Sequence, residues 1–187
     1  MPPLFFAMAM PWRRKHGFRK GKSGGMAART QKKNGPLLRV KEQVMPNVHK
    51  DFHGALSYGL QFVEDNYGRE GMGDFLAGLA DTVYKPLCDD LRARGLDALR
   101  DHWKTVFNLE QGGYEMVLDG DTLVLTVTRC PAIAHMREHG YAVAGHYCEH
   151  TRIVNEAVCA AAGYASSVEY DQQAGSCVQR FWKELAR

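Results

Sequence analysis

The strongest constraint on the fold is a change in hydrophobic period that occurs near residue 113. Before that point, apolar side chains recur at spacings of three and four, which is the pattern of amphipathic helices. Gly68, Pro86, Gly95 and the pair Gly112-Gly113 divide this region into four predicted helices. These helices run through Phe52–Tyr67, Met72–Val83, Leu87–Leu91 and Leu96–Phe107.

Beyond residue 113 the period shortens to two, which predicts strands. Tyr114–Leu118 and Leu123–Thr128 flank Asp119-Gly120-Asp121, a strong signal for a tight hairpin turn. A second predicted hairpin joins Val168–Tyr170 to Cys177–Trp182. Two more helices are predicted between the hairpins. Because helices and hairpins are segregated without βαβ alternation, the predicted class is α+β, with N-terminal helices packed on a small antiparallel sheet of two hairpins.

The net charge of +3 conceals a strong segregation of charge along the chain. Residues 1–41 contain eleven Lys and Arg and no acidic residue, so the remainder carries 13 basic and 21 acidic residues. An acidic folded part does not favour binding to the phosphate backbone of nucleic acids. We therefore expect no specific nucleic-acid partner.

Residues 1–45 are predicted to be a basic, disordered tail, and residues 46–187 a single domain. In a secretory signal basic residues precede the apolar run, but here they follow Leu4–Met10. No apolar run approaches the ~18 residues of a membrane span. The tail is interpreted as an arm that binds polyanions, a targeting peptide, or sequence upstream of a start at Met26 or Met45. Five cysteines without an export signal favour reduced thiols, so we expect a cytoplasmic protein without a membrane partner.

The residues best suited to chemistry lie in one segment, Cys130–Cys177, which holds four of the five cysteines and four of the eight histidines. On a predicted helix, Cys148, Arg152, Asn155 and Cys159 project within about 60° of one another. This polar stripe borders the apolar stripe, where side chains can line a half-buried pocket. The alternative is a packed helix with buried thiols, because free cysteine behaves as a small apolar residue.

Metal-binding patterns are weak in this sequence. His49 and His53 have the i, i+4 spacing of chelating pairs, but zinc needs a further ligand, and no glutamate lies between them as in the protease pattern. No CxxC pair occurs, and the cysteine spacings of 18, 11 and 18 match no zinc-finger signature. Convergence of three thiols and a histidine in space stays open. We predict no metal and no cofactor, and we expect His53 to be a polar residue of the pocket wall.

Several short motifs along residues 48–182 resemble those of one enzyme family. The motifs are Asp51–His53, Tyr84–Leu87, Cys130–Ala132 with His135–Arg137, Tyr147–Glu149, Val154–Cys159 and Gly175–Phe181. In this order and spacing they resemble the L-2-amino-thiazoline-4-carboxylic acid hydrolase family. The Cys-Pro pair, the mid-helix cysteine and the final Cys-x-x-x-Phe are also similar to four-vinyl-reductase-type ligand-binding domains, which often act as small-molecule sensors.

The first resemblance implies a hydrolase whose small-molecule substrate is a cyclic thiazoline. Attack at C2, followed by cleavage of the ring C–S bond, converts L-2-amino-thiazoline-4-carboxylate into N-carbamoyl-L-cysteine. The implied nucleophile is Cys148, or a water activated by His146 or His150, while Glu156 holds the amidinium nitrogen and Asn155 orients it. If the helix begins near His146, its N-terminus and the neighbouring histidines are expected to lower the pKa of the Cys148 thiol.

A second set of residues is expected to bind the substrate. Arg152 is expected to pair with its carboxylate in a bidentate fork, and Glu149 is the alternative to Glu156 at the amidinium nitrogen. The expected substrate-binding residues are Arg152, Glu149, His53, Cys130, His135 and Cys177. The alternative for Arg152, Glu149 and Glu156 is an exposed ladder of charge pairs along the helix. The alternative function is a non-catalytic small-molecule-binding sensor or accessory module of the same fold.

Overall fold

The computed structural model describes residues 49–184 and confirms the α+β class. The helices are α1 (Phe52–Thr82), α2 (Lys85–Arg94), α3 (Leu96–Glu110), α4 (Pro131–Glu138) and α5 (Glu149–Ala162). The strands are β1 (Gly113–Asp119), β2 (Thr122–Arg129), β3 (Tyr164–Asp171) and β4 (Ser176–Lys183). None of the helices in this range is long and apolar enough to cross a membrane. The predicted tail, residues 1–45, lies outside the described residues.

The first two predicted helices form one helical run, α1, which is interrupted at Gly68. The backbone there has φ 70° and ψ −174°, a conformation that only glycine adopts at low cost. Beyond the interruption the helix resumes and buries Met72, Leu76 and Ala80 at helical spacing. The predicted stop at Gly68 is therefore confirmed as a break in the helical backbone, although the two halves remain directly connected.

The four described strands form one antiparallel sheet in the order β1-β2-β4-β3. Both predicted hairpins are present, and Gly120 allows the tight turn of the first with a φ of 57°. β4 pairs with β2 as well as with β3, so Val127 lies opposite Cys177. This pairing joins the two hairpins and brings Cys177 close to the end of β2.

One face of the sheet carries the core. Leu123, Leu125 and Val127 alternate with more exposed residues along β2, and each is at most 2% exposed. Phe181 of β4 lies opposite Leu123 and is fully buried. Each fully buried side chain of this kind stabilises the fold by about 1.5–3 kcal/mol. Helix α5 contacts α1, α2 and β3, so the chain segment that leads into α5 lies where the helices meet the sheet.

Candidate functional site

A cavity of about 110 Å³ lies between the helices and the inner face of the sheet. Its wall includes side chains of α1, α3, α4, α5, β2 and β4. Six of the predicted site residues line it, namely His53, Cys130, Cys148, His150, Asn155 and Cys177. The fold therefore brings these six together although most of them are far apart in the sequence.

The two predicted histidines His146 and His135 lie outside this wall. His146 Nδ1 is 2.6 Å from Glu64 Oε1 on α1, an ion-pair distance without the alignment of a hydrogen bond. His135 Nε2 is 3.0 Å from Asp51 Oδ1, which also accepts a hydrogen bond from the Tyr141 hydroxyl at 3.1 Å. His146 thus contacts α1 and His135 contacts the residue just before it, and neither histidine lines the cavity with Cys148.

Arg152, Glu149 and Glu156 form the ladder of charge pairs that the sequence left as an alternative. Arg152 donates to Glu149 at 2.6 Å and to Glu156 at 2.9 Å. Tyr170, which lines the cavity, donates a hydrogen bond from its hydroxyl to Glu149. The ladder therefore stands at the rim of the cavity, where Tyr170 connects it to the wall.

A buried histidine–carboxylate pair forms one side of the cavity. His53 Nε2 lies 2.8 Å from Glu110 Oε2, and the two residues are 5% and 3% exposed. Lys50 Nζ donates to the Glu110 backbone carbonyl at 2.6 Å, which fixes the end of α3 against the start of α1. Glu110 was not among the residues predicted from the sequence. The sequence does contain a signal for its position: Glu110 follows Val106 by four residues and Phe107 by three, which places it on the core face of α3.

Tyr147 and His150 continue this polar wall. The Tyr147 hydroxyl makes a long contact of 3.5 Å with His53 Nδ1. His150 Nδ1 donates to the Tyr147 carbonyl at 2.6 Å, and burial lowers the pKa of His150 to about 4. His150 is therefore neutral at physiological pH. Burial also raises the pKa of the Tyr147 hydroxyl well above its ordinary value, so this group stays protonated.

The three cavity thiols are protonated in the native state. Burial, together with the neighbouring Cys130 and Cys177 thiols, raises the pKa of Cys148 to about 12. Burial likewise raises the pKa of Cys130 and of Cys177. The expectation of a lowered Cys148 pKa is therefore wrong. Helix α5 begins at Glu149, so Cys148 does lie at the helix N-terminus as its N-cap residue, but the loss of hydration outweighs the effect of the helix end.

Two buried amides complete the wall. Asn155 Nδ2 donates to Gln179 Oε1 at 2.8 Å, and Gln179 Nε2 donates to Cys177 Sγ at 3.3 Å. Both amide residues are at most 5% exposed. Gln179 was missed from the sequence, although its two-residue spacing from Cys177 and Phe181 places all three on one face of β4.

The lining carries little free charge. Among residues 49–184, no group of three or more His, Cys, Asp or Glu is arranged to hold a metal ion, so the three thiols share a cavity without forming a metal centre there. The part of the lining that the structure describes contains no Lys or Arg. Its one carboxylate, Glu110, is paired with His53. The site therefore offers thiols, amides and a histidine–carboxylate pair, but no cation ready to receive an anionic group.

Comparison of the chain with protein-family models, with curated proteins and with solved structures gives no match. The resemblance to the thiazoline hydrolases, which rests on the motifs between Asp51 and Phe181, therefore stays a prediction.

Proposed function

We propose that this protein binds a small cyclic molecule in the cavity between its helices and its sheet. The observation that supports the proposal best is the convergence of a buried histidine–carboxylate pair and a buried amide pair on one cavity of about 110 Å³. Buried polar groups arranged around an apolar space are the usual composition of a ligand site. A cavity of roughly 150 Å³ holds one benzene molecule, so the present one suits a single small ring.

Both sequence resemblances support a ligand of this size, since one family opens a five-membered thiazoline ring and the other binds small molecules. We further propose a cytoplasmic location. In the structure all five cysteines are free thiols, which fits a reducing compartment.

The proposal is tested by thermal unfolding in the presence of 2-thiazoline, 2-amino-2-thiazoline and cyclopentanone. A ring that binds the native state stabilises it by RT ln(1 + [L]/Kd), about 2.7 kcal/mol at a concentration of 100 Kd. We expect a concentration-dependent rise in Tm with at least one ring compound. If no single-ring compound raises the Tm at millimolar concentration, that result contradicts a ligand site of this size.

The second candidate function is hydrolysis of the cyclic thiazoline L-2-amino-thiazoline-4-carboxylate, and the His53–Glu110 pair favours it. A histidine that a carboxylate orients is the usual general base for activating water. In this mechanism His53 takes a proton from water, and the oxygen adds to C2 of the ring. The hydroxyl proton passes to the ring nitrogen as the carbonyl forms, the C2–S bond breaks, and the sulfur receives the proton from His53. One water is consumed, and the product is N-carbamoyl-L-cysteine with a free thiol.

The protonated thiols change the role of Cys148 in that mechanism. A thiol with a pKa of about 12 is a poor nucleophile at pH 7, so attack by water replaces attack by a thiolate. The substrate carboxylate finds no cation inside the described cavity wall, and it would have to stay at the rim near Arg152. There it would compete with Glu149 and Glu156 for the guanidinium.

Release of thiol from L-2-amino-thiazoline-4-carboxylate, followed with a colorimetric reagent, tests this second function. His53→Gln and Glu110→Gln are expected to lower kcat by at least ~10²-fold, the usual contribution of a general base. Cys148→Ser is expected to keep a rate close to that of the wild type, and Arg152→Ala to raise mainly KM. If Cys148→Ser loses the activity while Glu110→Gln keeps it, the thiol is the nucleophile. Absence of thiol release from the wild type leaves ligand binding as the function.

A further inference from the structure

The carboxylate of Glu110 has one oxygen that the described protein does not use. His53 Nε2 lies 2.8 Å from Oε2, whereas Oε1 makes no hydrogen bond within residues 49–184. Glu110 lines the cavity and is only 3% exposed. A carboxylate oxygen is a strong acceptor, and leaving such an atom unbonded in a buried position is costly. The cavity wall therefore carries an acceptor that suits an N–H donor.

A second unused group is the hydroxyl of Tyr84, the residue just before α2. Tyr84 lines the same cavity, and its hydroxyl makes no hydrogen bond to any described residue. Loss of hydration, with a smaller contribution from the charge of Glu110, raises the pKa of Tyr84 to about 12. The hydroxyl therefore lies deep in the protein, near Glu110, and keeps its proton at neutral pH. A protonated phenol can donate a hydrogen bond to a ligand.

A molecule in the cavity can reach both groups. Among residues 49–184, the buried side-chain nitrogen and oxygen atoms that are closed to water and have no hydrogen-bond partner are Trp103 Nε1, His146 Nδ1 and Ser166 Oγ. Glu110 Oε1 and the Tyr84 hydroxyl also lack a partner but are not closed to water. Because both lie deep in the protein on residues that line the cavity, the cavity is the space from which they are reached.

We infer that the ligand is a ring with both an N–H donor and an uncharged acceptor. The N–H donates to Glu110 Oε1, and the acceptor receives the hydrogen bond of the Tyr84 hydroxyl. The inference rests on the proposed ligand site and names its ligand class, which is lactams, cyclic ureas and cyclic amidines. His53 keeps its contact with Oε2, so neither hydrogen bond requires a described contact to break. In a cavity of about 110 Å³, one five-membered ring suffices to reach both groups.

Three five-membered rings of similar shape test this recognition with the wild type alone. 2-Pyrrolidinone offers an N–H and a carbonyl, cyclopentanone offers the carbonyl only, and methylenecyclopentane offers neither. Isothermal titration gives the three dissociation constants. Each hydrogen bond is expected to tighten binding roughly tenfold, so 2-pyrrolidinone binds most tightly and methylenecyclopentane most weakly. Binding of 2-pyrrolidinone that is no tighter than that of cyclopentanone would overturn the inference.

Two variants then assign each hydrogen bond to its side chain. Tyr84→Phe removes only the hydroxyl and is expected to abolish the difference between cyclopentanone and methylenecyclopentane. Glu110→Met removes the carboxylate at similar side-chain length and is expected to abolish the difference between 2-pyrrolidinone and cyclopentanone. Comparing ratios between rings cancels the effect of a changed cavity volume. Tyr114→Phe is the control, because the Tyr114 hydroxyl donates to Asn108 away from the cavity wall. It is expected to bind all three rings like the wild type.

If either cavity variant folds and leaves its ratio at the wild-type value, that side chain does not bind the ligand. Recognition by the pair is then overturned, while the cavity stays the ligand site. If none of the three rings binds the wild type, the proposed function fails and the inference fails with it.

Discussion

Cys148 occupies the N-cap position of α5, where the helix end favours a negative charge, yet its thiol is protonated. Burial and the two neighbouring thiols raise its pKa to about 12. Cys159, which lies deeper in the helix, is fully buried, and burial raises its pKa to about 12 as well. Burial therefore determines the chemistry of both thiols more strongly than their position along the helix does.

Alkylation rates test this conclusion. With iodoacetamide at pH 7, Cys148 in the native protein is expected to react at least ~10-fold more slowly than in the denatured protein, because the thiolate is the reacting form. Cys159 provides the internal comparison and is expected to be similarly slow. Peptide mass spectrometry after timed quenching gives both rates. Native labelling of Cys148 that is as fast as in the denatured chain would show that its thiolate is stabilised.

Two half-buried histidines predict a dependence of stability on pH. Burial lowers the pKa of His102 and of His150 from 6.5 to about 4. Between these pH values the unfolded chain binds protons that the native state does not bind, so the free energy of unfolding falls as the pH falls. Each histidine contributes a slope of up to about 1.4 kcal/mol per pH unit in this window.

Urea denaturation at several pH values between 6.5 and 4 measures that slope. His150→Gln is expected to flatten it relative to the wild type, since glutamine does not titrate. A variant that keeps the full wild-type slope would mean that His150 is already protonated in the native protein at these pH values.

At the scale of the elements, helix α1 depends on one glycine to join its two halves. Gly68 adopts a backbone conformation that strains any other residue, whereas Gly78 in the same helix has no positive φ and open space around its Cβ position. The two positions therefore form a matched pair for substitution by alanine.

Gly68→Ala is expected to lower the free energy of unfolding by about 1–3 kcal/mol, because the side chain is strained at that φ and ψ. Gly78→Ala is expected to raise it by about 0.4–1 kcal/mol, because alanine restricts the unfolded chain and favours a helix. Urea denaturation monitored by circular dichroism measures both values. A Gly68→Ala variant as stable as the wild type would show that α1 does not need this break.

The elements themselves could be predicted from the sequence because their signals are local. Gly68, Gly95 and the Asp119–Asp121 turn mark boundaries through the conformations that they permit, and the two hydrophobic periods identify helices and strands. The pairing of β2 with β4 has no such local signal. It depends on which face of each hairpin is buried, and that is decided only when the helices pack on the sheet.

At the scale of the whole molecule, the candidate site forms where distant segments meet. His53 and Glu110 are 57 residues apart in the sequence, and α1, α3 and the connection into α5 must all be in place before the cavity closes. Residue types alone therefore identified Cys148 and Asn155 but not Glu110. They also suggested His146 for catalysis, but the structure places its side chain against Glu64 on α1. The sequence gives no signal that Glu64 lies beside His146.

Blocking the cavity with a ring from the protein itself tests whether a ligand binds there. Ala132 lines the cavity and is 7% exposed, so Ala132→Phe should fill much of the space of about 110 Å³. Ala93→Phe adds the same ring to an exposed position of α2 and serves as the control. Binding of cyclopentanone is measured by isothermal titration, after circular dichroism has shown that both variants are folded. We predict that Ala132→Phe loses at least ~tenfold in affinity while Ala93→Phe binds like the wild type. Wild-type affinity in Ala132→Phe would place the ligand elsewhere on the protein and contradict the proposed site.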